Sequence, residues 1–323
     1  MLGKCPTARY GKVPAASTAS PTVGTSFFDK GTFMTNAVVS PDTIGTTQYV
    51  CSGWSMTGND PTNGSGTNFT MTLTNIATLT WQWRTNYYLA LTTNGNGSVS
   101  PSSGYYGQNS NVAVTATPAP HWHFAGWTGD VQGDTNALTM TRTMDSPRSL
   151  TANFAIDQHT LTVTAGIGGG AEPGTLTTNY GTVVTQWVTN GMPIYGTTQY
   201  VSTGWTLSGN ADTGGVYVGS ATNVTLTLTN NASLVWGWTT NYYLTLSTNG
   251  NGSVSPSSGF YALGSNVQVT ATPGLNNEFK SWSGDTNGCS ITGTNLSISP
   301  VTGPRAITAN FQEVSSGTVF KFR

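Results

Sequence analysis

Apolar and polar residues alternate along most of this chain, which is the pattern of a β-strand with one buried face. The segments 69–74, 111–117 and 224–229 show it well, with an apolar residue at every second position and mainly threonine between. No segment shows the period of an amphipathic helix convincingly. The sequence therefore predicts an all-β fold.

One long stretch of the chain occurs twice. Residues 86–104 read NYYLALTTNGNGSVSPSSG, and residues 241–259 read NYYLTLSTNGNGSVSPSSG. An internal repeat of this kind marks a supersecondary unit that is copied along the chain. Looser copies of a Gly-Trp element, at Trp54 and Trp205, divide each half again. We therefore predict four small tandem β-modules of alternating type, A-B-A-B, in an elongated array.

The repeat also fixes the predicted segment boundaries. They are an irregular N-terminal segment at 1–19, β-module 1 at 20–85, β-module 2 at 86–155, β-module 3 at 156–240, β-module 4 at 241–311 and a C-terminal tail at 312–323. The joints between modules are short. Because a module of this size buries only part of its surface when it stands alone, we expect neighbouring modules to support one another.

Glycine and proline punctuate the predicted strands. The pairs Asn94-Gly95 and Asn249-Gly250 favour tight hairpin turns, because both residue types tolerate a positive φ angle. Pro118 and Pro273 are expected to end strands, since proline donates no hydrogen bond to a neighbouring strand.

The composition excludes several classes of protein. Charged residues make up 7% of the chain, against roughly 25% in an ordinary globular protein. The net charge of −1 argues against a nucleic-acid partner, which requires clustered Lys and Arg. Ten Trp, thirteen Tyr and eleven Phe argue against disorder. No apolar run is long enough to span a membrane.

Neither the cysteines nor the N-terminus identifies a chemistry. Cys5, Cys51 and Cys289 lie far apart and lack metal-ligand spacing, so they are either structural bystanders or one forms a bond between subunits. Residues 1–20 lack the apolar core of a signal peptide. We expect that a leader has been removed or that the chain is a fragment.

Candidate catalytic and metal-binding groups are few. His121 and His123 would share one face of an extended strand, so they form either a metal pair or part of a surface loop. Asp130 and Asp285 follow a Trp-x-Gly element and are interpreted as turn carboxylates rather than as calcium ligands, which require six or more oxygens. No nucleophile–base set is recognisable. We expect no enzyme activity, no cofactor and no bound metal.

Four short motifs occur in the same order in modules 2 and 4. They are Gly-x-Gly-x-Val, Gly-x-x-Val-x-Val-x-Ala-x-Pro, Phe-x-Gly-Trp-x-Gly-Asp and Thr-Ala-Asn-Phe, beginning at Gly95, Gly107, Phe124 and Thr151 and again at Gly250, Gly264, Phe279 and Thr308. Two extra residues separate Gly107 from Val112, and Ser281 replaces the glycine that precedes the tryptophan in the third motif. In this respect the chain resembles the divergent internalin-B-type bacterial repeat. Modules 1 and 3 match it loosely, with Trp83 and Trp238 in place of the final Phe.

The resemblance implies an all-β module of secreted or surface-attached bacterial proteins and implies no enzyme activity. Its structural repeat residues in this sequence are Trp54, Gly126, Trp127, Gly129, Asp130, Phe154, Trp205, Trp282, Gly284, Asp285 and Phe311. The tryptophans recur in every module, which favours a role in the core over stacking on sugars. We expect a non-enzymatic extracellular structural or adhesive repeat protein; the alternative is a carbohydrate-binding accessory region of a larger secreted enzyme.

The two ends of the chain differ in their strand pattern. Residues 318–323 are β-prone and include Val319, Phe320 and Phe322, where a further module would begin. In contrast, residues 8–13 predict no good opening strand for module 1. One hypothesis is self-association in which this tail completes module 1 of the next subunit, giving a head-to-tail filament. The alternative is that the chain was cut from a longer array.

Overall fold

The computed structural model describes residues 7–10, 18–168, 170–189, 196–210 and 215–315. These residues form β-strands, loops and a single 3-10 turn at Gly166–Gly168, so the predicted all-β class is confirmed. None of their helical structure is long and apolar enough to cross a bilayer. The chain divides into two compact units, Met1–Asp157 and Gln158–Arg323, which are described separately. The boundaries of the four modules remain a prediction.

In the first unit, the strands form one large sheet and two small sheets. The large sheet contains β1 (Thr7–Tyr10), β3 (Gly24–Phe27), β5 (Asp42–Ile44), β6 (Thr47–Thr57), β7 (Asn63–Gly64), β9 (Ala77–Asn94), β11 (Gly104–Gly107), β13 (Trp122–Gly129) and β15 (Arg148–Ile156). The small sheets are β2 (Ala19–Ser20), β4 (Phe33–Val38) and β8 (Asn68–Thr72), and β10 (Gly97–Ser100), β12 (Asn111–Pro118) and β14 (Thr139–Thr143).

The second unit has the same plan. Its large sheet contains β16 (Gln158–Thr164), β18 (Leu176–Asn179), β20 (Thr198–Ser208), β21 (Tyr217–Gly219), β23 (Ala232–Asn249), β25 (Gly259–Ala262), β27 (Asn277–Gly284) and β30 (Arg305–Glu313). The small sheets are β17 (Ala171–Glu172), β19 (Thr182–Val188) and β22 (Asn223–Leu228), and β24 (Gly252–Ser255), β26 (Val267–Pro273), β28 (Ser290–Thr292) and β29 (Asn295–Ile298). Strands β12 and β26 end at the two prolines, as predicted.

One strand of 18 residues organises each unit, β9 in the first and β23 in the second. A typical strand has about 5–6 residues. Strand β9 is rich in Thr, Trp, Tyr and Leu and contains neither Gly nor Pro, so nothing in it interrupts an extended chain. It runs without a break through residues 85 and 86, where modules 1 and 2 were predicted to meet.

Each half of the long strand has one antiparallel and one parallel neighbour. The first half of β9 pairs antiparallel with β6 and parallel with β1, and the second half pairs antiparallel with β11 and parallel with β15. In the second unit, β23 pairs in the same way with β20, β16, β25 and β30. Every predicted module is therefore closed by a parallel pairing on the long strand.

The cores lie between the large sheet and each small sheet. In β9 the buried residues are Ala77, Leu79 and Trp81 in one core and Leu89 and Leu91 in the other, all at odd-numbered positions. Because side chains alternate across a strand, one face of a single strand contributes to two cores. The predicted alternation in 69–74, 111–117 and 224–229 is confirmed, since the apolar side of each segment is buried or half-buried. Its residues are Phe69, Met71, Leu73, Val112, Val114, Ala116, Val224, Leu226 and Leu228.

The hairpin prediction for the two Asn-Gly pairs is wrong. Strand β9 before Asn94-Gly95 lies in the large sheet, whereas β10 after it pairs with β12 in a small sheet. The pair is therefore a corner between two layers. Gly95 has φ +86°, and a Cβ atom there would lie 2.3 Å from the carbonyl oxygen of Phe154. Gly250 makes the same corner against Phe311 in the second unit.

The prediction that module 1 lacks an opening strand is also wrong. Strand β1 pairs in parallel with the start of β9, with Ala8 opposite Ala77. Strand β16 has the equivalent place in the second unit, with Leu161 opposite Ala232. The position that the tail of another subunit was expected to fill is occupied by this chain's own N-terminal strand. The candidate donor residues Val319, Phe320 and Phe322 lie outside the described residues.

Candidate functional site at the repeated Gly-Trp bulge

A β-bulge precedes each of the four repeated tryptophans. The register shifts lie between Cys51 and Gly53, Phe124 and Gly126, Ser202 and Gly204, and Phe279 and Ser281. A bulge adds one residue to a strand and increases its local twist, which redirects the following side chain. Gly53, Gly126 and Gly204 have φ angles of +138°, +126° and +112°, a region that glycine tolerates.

The bulges direct the indoles toward the cores to different extents. Trp54 and Trp127 are buried, with 4% and 2% of their surface exposed, whereas Trp205 and Trp282 are half-buried. The indole N–H of Trp127 donates a hydrogen bond of 2.9 Å to the carbonyl oxygen of Ala137. The repeated tryptophans therefore contribute mainly to packing.

Partners across the sheet distinguish the two predicted module types. Trp54 and Trp205 each face another tryptophan, at Trp81 and Trp236. Trp127 and Trp282 instead face an alanine, at Ala152 and Ala309. A tryptophan that faces a second tryptophan needs a wider core than one that faces an alanine. This difference gives module types A and B a physical basis.

The asparagine of the Thr-Ala-Asn-Phe motif holds the bulge. The side-chain amide of Asn153 donates to the carbonyl oxygen of Gly126 at 3.1 Å and accepts from Asn94 at 3.2 Å. Asn310 bonds Ser281 and Asn249 in the same way. The amide links the bulged strand, the closing strand and the long strand of each unit.

The phenylalanine of the same motif lies beneath a glycine of the corner. Phe154 and Phe311 are 6% and 7% exposed. A Cβ atom at Gly97 or Gly252 would lie within about 2.5 Å of the corresponding ring. Two close contacts therefore explain the Gly-x-Gly motif. Its first glycine lies against the backbone carbonyl of the phenylalanine, and its second glycine lies against the ring of the same residue.

The Gly-Asp pair after the tryptophan fastens the start of the closing strand. The backbone N–H of Asp130 donates to the carbonyl oxygen of Ser149, and its carboxylate accepts from the Ser149 N–H, both at 2.8 Å. Asp285 makes the same two bonds to Ala306. A Cβ atom at Gly129 would overlap the Ser149 carbonyl oxygen at 2.4 Å. Both carboxylates are therefore bound to backbone amides.

We call the two bonds from Asp130 to Ser149, and those from Asp285 to Ala306, the clasp of each unit. An arginine beside each clasp has different partners in the two units. Arg148 forms an ion pair with Asp145 and lies 3.8 Å from the carboxylate of Asp130. The hydrogen bond from Arg148 lowers the pKa of the exposed Asp145 carboxyl. Arg305 instead donates to the carbonyl oxygens of Asp285 and Asn287, at 2.9 and 2.7 Å.

The histidines do not form a metal pair. His121 lies in a turn with φ +65°, so the segment is not extended there. His123 is exposed in strand β13, and its Nδ1 lies 2.8 Å from a carboxylate oxygen of Asp157. Across the described ranges, no three His, Cys, Asp or Glu side chains are placed to hold a metal ion.

The two cysteines in the described part of the chain are free. Cys51 is buried in the first core, and Cys289 is half-buried. Partial burial raises the pKa of the Cys289 thiol, and the nearby Arg305 opposes this only in part. The raised pKa favours the protonated thiol of Cys289. Cys5 lies outside the described residues.

A shallow cleft of about 270 Å³ lies beside the clasp of the second unit. Tyr243, Thr245, Asp285 and Arg305 are among the residues that line it. Its aspartate and arginine are both engaged with backbone groups, as described above. The arrangement can fix a strand and a bulge.

Sequence reasoning missed several members of this site. Asp145, Arg148 and Ser149 were not singled out, although an Asp and an Arg three residues apart at the start of a strand signal a local ion pair. Gly97 and Asn153 were recognised as members of a motif, but no contact was predicted for either. Their contacts depend on which strands become neighbours, which the alternation alone does not specify.

Comparison with known proteins gives one family. No curated protein sequence matches this chain. The sequence pattern of the divergent InlB B-repeat domain matches residues 87–158 and 242–315. Each matched region begins within the long strand of its unit and continues beyond the closing strand. The resemblance inferred from the four motifs is thereby confirmed: this repeat protein contains two regions that are similar to the divergent InlB B-repeat domain.

Proposed function

We propose that this is a non-enzymatic extracellular structural or adhesive repeat protein whose units carry tension along the chain. The single observation behind the proposal is the pairing of both end strands of each unit with one long strand. The family resemblance supports a secreted or surface location. The low charge and the engagement of the repeated aspartates with backbone groups support a structural role over a catalytic one.

The direction of the strands determines how a pulling force acts. In the second unit the chain enters through β16 and leaves through β30, and both run parallel to β23. Pulling the ends of the unit apart moves β16 and β30 in opposite directions along the axis of β23. The hydrogen bonds between parallel strands are then strained together by shear, whereas a hairpin pulled open loses them one at a time.

The first unit has the same arrangement. Its end strands β1 and β15 both run parallel to β9. Hydroxyl and amide side chains add contacts across the closing pair: the hydroxyls of Thr92 and Thr151 lie 2.7 Å apart, and Asn94 bonds Asn153. Shear resistance is thus a shared property of the two units rather than a feature of one.

Single-molecule force spectroscopy on the full chain, held at its two ends, tests this proposal. We expect two unfolding events, one for each unit, each releasing about 500 Å of chain at roughly 3.3–3.6 Å per residue. The unfolding force should exceed that of a β-hairpin opened from its ends, because the bonds break together.

A matched pair of variants at Thr162 identifies the sheared interface. Thr162 is exposed in β16, and since the N–H of Val163 bonds Thr175 on one edge, the N–H of Thr162 faces β23 on the other. Thr162→Pro removes that donor, so it should lower the unfolding force of one event only, while Thr162→Ala leaves both unchanged. Low unfolding forces in the wild type, or no effect of proline, would refute the proposal.

The filament and carbohydrate-binding hypotheses have less support. Donation of a strand to module 1 of another subunit requires that β1 first leave β9. Stacking on sugars requires exposed aromatic faces; Trp54 and Trp127 are buried, and of the four repeated tryptophans only the half-buried Trp205 and Trp282 offer part of a face. Tension carried within each unit needs neither condition.

A further inference from the structure

The two units differ at the tryptophan of their first bulge, and the difference opens a cleft in the second unit. In the first unit, the ring of Phe69 stacks on Trp54, with centroids 3.7 Å apart and planes inclined by 16°. Strand register places Phe69 opposite Asn36, and in the second unit it places Val224 opposite Gln186 at the equivalent point. Valine therefore stands where the first unit has a stacked ring.

The space left by the missing ring is accessible. A cleft of about 290 Å³ is lined by Trp205, Leu207, Asn210, Tyr217, Val224 and Leu226, with Thr225 and Thr227 beside them. Trp205 is half-buried, in contrast with the buried Trp54. A closed apolar cavity of about 150 Å³ is enough to hold benzene, so this cleft has room for a ring with substituents.

The chemistry of the lining restricts the ligand. None of the described residues that line the cleft is charged, and most of the lining is aliphatic or aromatic. Tyr217, which is 46% exposed, adds a second aromatic side chain beside the cleft. The amide of Asn210 already bonds the backbone of Thr227 and Thr229, so it helps to fix the wall. An uncharged, flat, apolar ligand fits this set of groups.

We propose that the cleft on Trp205 binds a small neutral aromatic molecule of the phenol class, whose ring stacks on the indole as Phe69 stacks on Trp54. This binding site is independent of the tension-bearing role proposed above. Stacked aromatic pairs contribute about 0.5–1.5 kcal/mol beyond the area that they bury. The hydroxyl of such a ligand would stay at the open side of the cleft.

Fluorine NMR of the full chain labelled with 5-fluorotryptophan tests the proposal, with p-cresol as the probe and Trp205→Phe to assign the signal. Titration should shift the Trp205 signal in a saturable way and leave the Trp54 signal unchanged. Val224→Phe fills the cleft and should abolish the shift. Phe69→Val opens the equivalent space in the first unit and should make the Trp54 signal respond as well.

Each outcome decides the matter. Loss of the response in Val224→Phe, or its gain at Trp54 in Phe69→Val, supports the site even where the other variant fails to fold. A wild-type Trp205 signal that does not respond to p-cresol refutes it. A response to methyl β-glucoside in place of p-cresol would overturn the aromatic class of ligand.

Discussion

Modules 2 and 4 carry the same four motifs, yet the bulges before their tryptophans are built differently. In module 2, Gly126 adopts a φ of +126°, and Trp127 is buried and hydrogen-bonded. In module 4, Ser281 replaces the glycine, and Trp282 is half-buried, with no acceptor for its indole N–H among the described residues. Since both bulges form, the bulge does not require a glycine at this position. Gly204, with φ +112°, precedes a half-buried Trp205, so the glycine alone does not set how deeply the tryptophan is buried.

The arginine next to the clasp also differs between the two modules, although the clasp itself does not. Asp145 precedes Arg148 by three residues, and the equivalent position before Arg305 is Thr302. Without that carboxylate, Arg305 bonds backbone carbonyls. The clasp made by Asp130 or Asp285 is the same in both modules, so it does not depend on the partner of the arginine.

The tryptophans should give the largest difference between the two modules. Trp127→Ala should lower the free energy of unfolding of the first unit by about 3–5 kcal/mol, because it removes a buried side chain and a hydrogen bond. Trp282→Ala should lower that of the second unit by only about 1–3 kcal/mol. Chemical denaturation followed by circular dichroism measures both. Equal losses would show that the two tryptophans stabilise their units equally.

Substitution of the corner glycines should have the next largest effect on stability, and the loss should be the same in both modules. Gly95→Ala and Gly250→Ala should each cost about 2–4 kcal/mol, because a Cβ atom meets a backbone carbonyl at a positive φ angle. Gly133 is the matched control, with φ +91° and no atom within 4 Å of a Cβ. Gly133→Ala should cost about 1 kcal/mol. If all three variants lose the same stability in thermal denaturation, the close approach has no energetic role.

Exchanging the bulge residues should have a smaller effect. Gly126→Ser should cost about 1–2 kcal/mol, because a Cβ atom has room there but the φ angle is unfavourable. The reverse change, Ser281→Gly, should cost about 0.5–1 kcal/mol, through the greater freedom of glycine in the unfolded chain. Urea denaturation of both variants measures the pair. A stabilising Gly126→Ser would contradict the described bulge geometry.

Acidification should have the smallest effect and should act on the first unit. Because Arg148 lowers the pKa of Asp145 in the folded state from its usual 3.8, the ionised carboxylate favours folding. That stabilisation is complete above the unfolded pKa and is lost as pH falls through the lower folded pKa. Thermal melts between pH 2 and 6 should therefore show a shallower acid loss in Asp145→Asn than in the wild type. An unchanged acid profile would rule out this contribution.

Much of the fold follows from the sequence, because alternation depends on local chemistry. The buried faces of β8, β12 and β22 were predicted residue by residue. The corner at Asn94-Gly95 was not, since the same dipeptide suits a hairpin and a change of layer. The difference lies in the partner of β10, which is β12 in a small sheet and not the preceding strand β9.

The site is less predictable for the same reason. The recurrence of Trp127 and Asp130 marks them as structural, but the bonds from Asp130 to Ser149 appear only when β13 and β15 are aligned. Strand β1 was overlooked because residues 7–10 are only weakly β-like, and their place is set by the free parallel edge of β9. The cleft at Trp205 arises from one replacement, Val224 for Phe69, whose meaning depends on the stacked ring.

Hydrogen exchange across residues 83–88 tests most directly the continuous strand on which the tension proposal depends. We predict that the hydrogen-bonded amides of this segment exchange as slowly as those of residues 77–82 and 89–94, because they open only when the whole unit unfolds. Rapid exchange confined to residues 83–88, with slow exchange on both sides, would show two separate strands with a flexible joint and would contradict this account.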